Sequence, residues 1–148
     1  MSAVVVMMKL LQAYQPLLAL IPASRVFAGT VAQEETLPAI SVREISRNEF
    51  PTVSQAEASS LIQARIQVTV HARDYRNMKA ILLAAKLGSG VHTGVIGGIR
   101  VRSVRRDDVG PDLSDDAAGI YRQSRDFMVR YIEPVSYTHL TLPTIYSV

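Results

Sequence analysis

The feature that most constrains the fold is a strict alternation of apolar and polar residues in LIQARIQVTVHAR, residues 61–73. A period of two places the apolar side chains on one face of a β-strand and the polar ones on the other. The stretch therefore predicts a sheet with one buried face and one face that is wet or paired with a partner. The apolar set is Ile62, Ala64, Ile66, Val68, Val70 and Ala72; the polar set is Gln63, Arg65, Gln67, Thr69 and His71.

Four further stretches are typical of strands: residues 25–30, 37–46, 99–106 and 120–133. In the second, the alternation slips after Val42, and one extra residue, a bulge, would return Ile45 to the buried face. The segment after it, residues 47–59, predicts a loop or a flexible hairpin arm. In the last strand, Gln123 and Arg125 share the apolar face, which is an anomaly for a simple core.

The N-terminal residues have apolar side chains at helical spacing up to about residue 14. No basic residue precedes the apolar run, and Lys9, Gln12 and Gln15 interrupt it, so we expect an amphipathic helix rather than an export signal. Pro16 fits the first turn of a short second helix. Asp74 is placed to cap a third helix over residues 75–90, whose end is glycine-rich.

The predicted elements follow the order α, α, β, β, β, α, β, β. Strands grouped around one helix indicate an α+β fold, with an antiparallel sheet of about four or five strands and two main helices packed on one face. The length suits one domain, residues 1–134.

The last stretch, residues 135–148, holds no charged side chain and no clean period. One allowed set of codons for VSYTHLTLPT resembles a transposon-end adapter used in shotgun library preparation. We therefore expect residues 135–148 to be a non-native read-through tail, although its Val, Thr, Tyr and Ile residues would also suit a strand. Three aromatic side chains, Tyr137, His139 and Tyr146, are excluded from function on this view.

The composition excludes several classes of site. The chain has no cysteine, which rules out disulfides, thiolate metal ligands and a thiol nucleophile. A net charge of +3 and a pI near 9.4 permit contact with nucleic acid without demanding it.

No constellation for catalysis follows from the motifs. His71 and His92 have no second ligand at metal-site spacing. The glycines of GVIGG follow a helix and precede a strand, so no helix N-terminus faces an anion there. The acidic run in residues 107–119 lacks the glutamate of a calcium loop and predicts a solvated turn. We expect no catalytic residue, cofactor or metal, and a structural or binding role.

The outward arginines of the strands are the remaining candidates. If residues 99–106 and 120–133 pair, their arginines form a basic face for nucleic acid or an acidic partner. Equally, arginines protect exposed sheet surfaces from aggregation. The predicted interface or channel face consists of Arg65, Gln67, Thr69, His71, Arg100, Arg102, Arg122 and Arg130.

The order of these elements resembles the small tail-completion, or head–tail joining, proteins of long-tailed bacteriophages and prophages, which are tail terminator-like. The resemblance covers residues 3–133. It rests on LPAI, on the pair Asp74 and Tyr75, and on the stretch Gly119, Ile120, Tyr121 and Arg122 with Asp126 and Phe127. At Gln123 and Arg125 the chain departs from the apolar residues usual in that family.

The resemblance implies a virion component without catalysis, assembled in the bacterial host cytoplasm. Such proteins form an oligomeric ring, commonly a hexamer, that caps the tail tube and joins it to the head connector. Double-stranded DNA would pass through the ring, and no membrane is involved. The alternative is a small basic nucleic-acid-binding module, which the lack of stacking aromatic residues on the basic face disfavours.

Overall fold

The computed structural model describes residues 2–31, 36–51, 59–88, 92–115 and 117–134. The helices in these ranges are α1 (Ser2–Ala13), α2 (Gln15–Leu18) and α3 (Tyr75–Ala84), with a 3-10 turn at Ala23–Arg25. The strands are β1 (Val26–Ala28), β2 (Ala39–Pro51), β3 (Ser59–Ala72), β4 (Gly94–Ile96), β5 (Ile99–Val109), β6 (Leu113–Asp115) and β7 (Ile120–Pro134). The predicted tail, residues 135–148 with His139, lies outside the described residues.

Strand β3 is the centre of the fold, because it pairs antiparallel with β2 on one side and with β7 on the other. All six apolar residues of its alternation are fully buried, while the polar residues between them are half-buried. The alternation predicted from the sequence is confirmed. Its buried side is the inner face of the sheet and its polar side is the outer face.

The predicted fold class, an antiparallel α+β sheet of four or five strands with two main helices, is wrong. Over the described residues the protein is mostly β, with seven strands in one curled, mixed sheet that resembles half a barrel, and with three helices. The strand order is β1-β2-β3-β7-β5-β4, with β6 beside β7. Strand β1 runs parallel to β2, and the other pairs are antiparallel. Two strands were not predicted, β4 and β6. Each has three residues, which are too few to show an alternation of apolar and polar side chains.

The helices cover the inner face. Helix α1 buries Ala3, Val4, Val6, Met7 and Leu11 in the same core as the apolar residues of β3. The predicted amphipathic helix is therefore confirmed. Among the described residues, no helix is both long and apolar enough to span a bilayer.

Helix α3 begins where the sequence predicts. The side chain of Asp74 accepts a hydrogen bond from the backbone N–H of Asn77 at 3.2 Å, which satisfies a donor that the first turn leaves free. The helix buries Met78, Ile81 and Leu82 against the core. It ends at Ala84, earlier than predicted.

Strand β2 contains the predicted bulge, between Glu44 and Ser46. The bulge does not return Ile45 to the core, since that side chain is 45% exposed. The strand then continues to Pro51, so residues 47–51 are strand rather than loop, which fits the hairpin-arm alternative; residues 52–58 lie outside the described residues. Pairing with β3 along nearly the whole length outweighs the irregular sequence here. Strand β1 pairs with residues 40–42 of β2. Among the described strands, none pairs with the rest of β2 on that side, so this part of β2 is an edge of the sheet. An edge strand tolerates a proline, which has no backbone N–H, and Pro51 lies at the end of this one.

The glycine-rich connector contains strand β4, which forms a hairpin with β5. The two turn residues, Gly97 and Gly98, both have positive φ, at 59° and 80°. Two-residue turns of this kind match the twist of the strands they join, and they need residues that tolerate positive φ.

Candidate functional site

The residues predicted as an interface lie largely on the outer face. The structure places Arg65, Gln67, Thr69 and His71 of β3 beside Arg122 and Arg130 of β7 in neighbouring register. Arg100 joins them because it pairs with Ile132, which is on the same face of β7. Arg102 is exposed but stands out of register, since the pairing of β5 with β7 shifts between Val101 and Ser103. Strands β5 and β7 do pair, as the basic-face prediction required.

The outer face is not uniformly basic, because one of its arginines is neutralised. Arg65 forms ion pairs with two carboxylates, Asp107 of β5 and Asp126 of β7, the latter at 3.1 Å. These hydrogen bonds raise the pKa of the Arg65 guanidinium. The prediction that Asp107 lies in a solvated turn is wrong, because Asp107 belongs to β5 and forms an ion pair across the sheet.

Two further arginines of the outer face form cross-strand hydrogen bonds to neutral amide side chains. The Nε of Arg43 donates to Gln67 Oε1 at 3.1 Å, and the Nε of Arg130 donates to Gln63 Oε1 at 2.7 Å. Such amide partners hold a guanidinium in place without cancelling its charge. Arg43 and Arg130 therefore keep their positive charge on this face.

The outer face contains a concavity of about 420 Å³ near the end of the sheet that carries β1 and β6. Its floor is a row of three hydroxyls on neighbouring strands: Ser41 of β2, Thr69 of β3 and Ser124 of β7. The Thr69 and Ser124 hydroxyl oxygens are 2.8 Å apart and share one hydrogen bond. We call these three residues the hydroxyl row, and the space above them the outer concavity.

Charged and apolar groups surround the hydroxyl row. Arg43 and Gln67 lie on one side of it along the strands, and His71 and Arg122 lie on the other. Residues 29–31 and Leu113 complete the lining. Three lining residues were not predicted as part of the interface, although each falls at an outward position of its strand: Ser41, Arg43 and Ser124.

His71 is held as a hydrogen-bonding group rather than a metal ligand. Its Nε2 lies 3.2 Å from the Ser41 hydroxyl. Burial, and then the positive charge of Arg122, lower the pKa of His71 below its usual 6.5. Within the described ranges, no group of three His, Cys, Asp or Glu side chains is close enough together to hold a metal ion.

Comparisons with known proteins identify a structural neighbour. No protein-family model matches the chain, and no curated protein matches it. Among solved structures, a chain from the "Virion of native gene transfer agent (GTA) particle" is similar, with a TM-score of 0.59 and 16% sequence identity. The match covers 86% of this chain and 92% of that chain. The two chains share a fold.

The two inward polar residues that set this sequence apart have different surroundings. Gln123 is 7% exposed and fully bonded: its amide N–H donates to the Gly110 carbonyl at 2.6 Å, and its Oε1 accepts from Lys79 Nζ at 2.7 Å. Arg125 has a buried Nε without a hydrogen-bond partner. Burial and the nearby Arg106 lower the pKa of Arg125.

The inner side also joins α3 to the segment before β6. Lys79 Nζ lies 2.5 Å from Asp112 Oδ1, and the Tyr75 hydroxyl donates to Asp112 Oδ2 at 2.7 Å. Tyr75 also packs edge-on against Tyr121, with ring centroids 5.7 Å apart. Asp112 is thus a paired side chain rather than part of the solvated turn expected there. The cluster fixes β6, and with it the wall that Leu113 contributes to the outer concavity.

Proposed function

We propose that the protein is a structural component of a phage-like virion, which caps the tail tube and joins tail to head as part of an oligomeric ring. The observation that carries the proposal is the fold shared with a chain of the gene transfer agent virion over most of both chains. The same role is implied by the resemblance of the element order to tail-completion proteins. Its partners would be sister copies, the tail tube and the head connector, with double-stranded DNA passing through the ring.

The two edges of the sheet support a ring of identical subunits. A ring closes when one surface of a subunit contacts a different surface of the next. No described strand pairs with β2 on its β1 side beyond Val42, and β2 exposes Ile45 and Phe50 by 45% and 43%. The opposite edge exposes Val95 of β4 and Val109 of β5. Each edge thus offers apolar side chains beside strand backbone, which suits contact with the other edge of a neighbouring copy.

The ring is tested by measuring the mass of the full chain in solution by size-exclusion chromatography with light scattering. We expect a discrete oligomer that Ile45→Asp converts to smaller species, because the aspartate would be buried at the contact. The matched control is Leu83→Asp on α3, where the side chain is 63% exposed and distant from both edges. A strict monomer at every concentration, or equal effects of the two variants, contradicts the ring.

The alternative, a small nucleic-acid-binding module, is favoured by outer-face arginines that form no ion pair with a described side chain, such as Arg122 and Arg130. It predicts that the monomer binds duplex DNA with an affinity that falls steeply as salt increases. Loss of binding without loss of the oligomer would separate this function from the ring.

A further inference from the structure

Among the described residues that line it, the outer concavity combines hydrogen-bond donors and positive charge without a carboxylate. Its floor is the hydroxyl row, and its sides carry Arg43 and Arg122. None of its lining residues is Asp or Glu. Asp126 stands opposite Gln67 in register, and its carboxylate is directed to Arg65.

The charge of this concavity contrasts with that of the neighbouring part of the outer face. There, Arg65 is matched by two carboxylates. In the concavity, Arg43 is held by the neutral amide of Gln67, and Arg122 forms no ion pair with any described residue. The positive charge of Arg122 is felt by His71, whose pKa it lowers. Two guanidiniums therefore line this space, and neither takes part in the ion pairs seen among the described side chains.

The hydroxyl row leaves donors free for a ligand. When two hydroxyls share a hydrogen bond, one donates and the other keeps its own proton available. Thr69 and Ser124 form such a pair, so one of their protons can point into the concavity. Ser41 has the same freedom when the Nε2 of His71 is the donor between them.

We propose that the outer concavity binds a phosphate group. Hydroxyls below and guanidiniums on two sides supply donors from three directions, which matches the tetrahedral array of phosphate oxygens better than a planar carboxylate. The space of about 420 Å³ exceeds that of a single ion, so it accommodates a phosphate that is part of a larger molecule, such as a nucleic-acid backbone. All residues of the site belong to one subunit, so phosphate binding does not depend on ring formation or on a role in a virion.

The first test uses inorganic phosphate with the full chain, followed by calorimetry and by NMR shifts at constant ionic strength. We expect saturable binding with shifts centred on residues 41, 69 and 124. Arg122→Gln and Arg43→Gln should each weaken binding by about tenfold or more, since hydrogen bonds to charged groups contribute on that order. The matched control is Arg76→Gln on α3, an exposed arginine outside the concavity. Bound phosphate should also raise the pKa of His71.

Ser124→Ala serves as a second variant, in case an arginine replacement disturbs folding, and near-ultraviolet circular dichroism checks each fold. Absence of saturable phosphate binding, or equal losses in Arg76→Gln and Arg122→Gln, overturns the proposal. A second titration with a short DNA duplex identifies the source of the phosphate. If Arg122→Gln weakens duplex and free phosphate alike, the backbone is a ligand. If it weakens free phosphate alone, the ligand is a small phosphate compound.

Discussion

The Asp126 carboxylate lies 3.1 Å from the guanidinium of Arg65, joining β7 to β3 across the outer face. Asp107 of β5 lies beyond β7 on the same side of Arg65, and with it this pair divides the face into a neutralised part and a basic part, which contains the outer concavity. The division has a direct consequence for binding of anions.

Asp126→Asn should strengthen binding of polyanions to the outer face. The change removes one negative charge and leaves Arg65 paired with Asp107 alone. We expect the variant to elute from a heparin column at higher salt than the wild type. Asp74→Asn at the N-cap of α3 is the charge-matched control; an equal shift in both variants would mean that net charge alone governs retention.

His71 should titrate below pH 6.5 in the folded protein, because burial and Arg122 disfavour its charged form. Since the folded pKa is lower than the unfolded one, the contribution of His71 to stability is complete above about pH 6.5 and is lost as the pH falls toward the folded pKa. NMR titration of the ring protons measures this pKa. Arg122→Gln should raise it, and Arg76→Gln should leave it unchanged.

Gln123→Leu should destabilise the protein by about 1–3 kcal/mol. The change leaves the Gly110 carbonyl without its side-chain donor and Lys79 Nζ without one acceptor. Chemical denaturation measures the free energy of unfolding. The comparison is Gln63→Leu, which removes an exposed hydrogen bond to Arg130 and should cost about 0.5 kcal/mol or less. Equal costs would contradict the structural role of Gln123.

Ile66→Ala should cost about 2–5 kcal/mol, since the side chain is fully buried at the centre of β3. Its neighbour Gln67 lies on the outer face, and Gln67→Ala should cost well under that amount. Denaturation of the two variants compares the faces of one strand directly. Similar losses at both positions would show that the outer face is packed as tightly as the inner one.

Gly97→Ala should destabilise more than Gly98→Ala. Both residues need positive φ, at a cost of about 1 kcal/mol for alanine. At Gly97 an added Cβ would also lie 3.1 Å from Cγ1 of Val5 in α1, whereas at Gly98 it meets nothing within 4 Å. Thermal unfolding of the pair measures the difference. A larger loss at Gly98 would contradict the close approach of this turn to α1.

The long elements could be predicted from the sequence, because their patterns repeat often enough to be unambiguous. The alternation of β3 extends over six buried residues, and Asp74 marks the start of α3. Three-residue strands carry no such repeat. Strand β1 lies within the predicted stretch 25–30, but β4 and β6 were not predicted, because they gain their conformation from a neighbour. The hairpin at Gly97 and Gly98 did leave a signal, a glycine pair between two isoleucines, which was interpreted only as a connector.

Only part of the candidate site could be predicted from the sequence. One reason is that the bulges in β5 break the alternation of side chains along that strand. The direction of a side chain follows from counting by twos only while the register is unbroken. The register of β5 shifts near Arg102 and again between Arg106 and Val109, so the pairing of Asp107 with Arg65 could not be found by counting. The outer concavity also needs Ser41 and Ser124, which become neighbours of Thr69 only when three strands that are far apart in the sequence meet.

The ion pair between Lys79 and Asp112 links the inner face of the sheet to its outer face. Asp112 is anchored to helix α3 on one side, while the next residue, Leu113, forms part of the opposite surface. A displacement of that helix by a neighbouring protein would therefore be transmitted, over a single peptide bond, to the rim of the outer concavity.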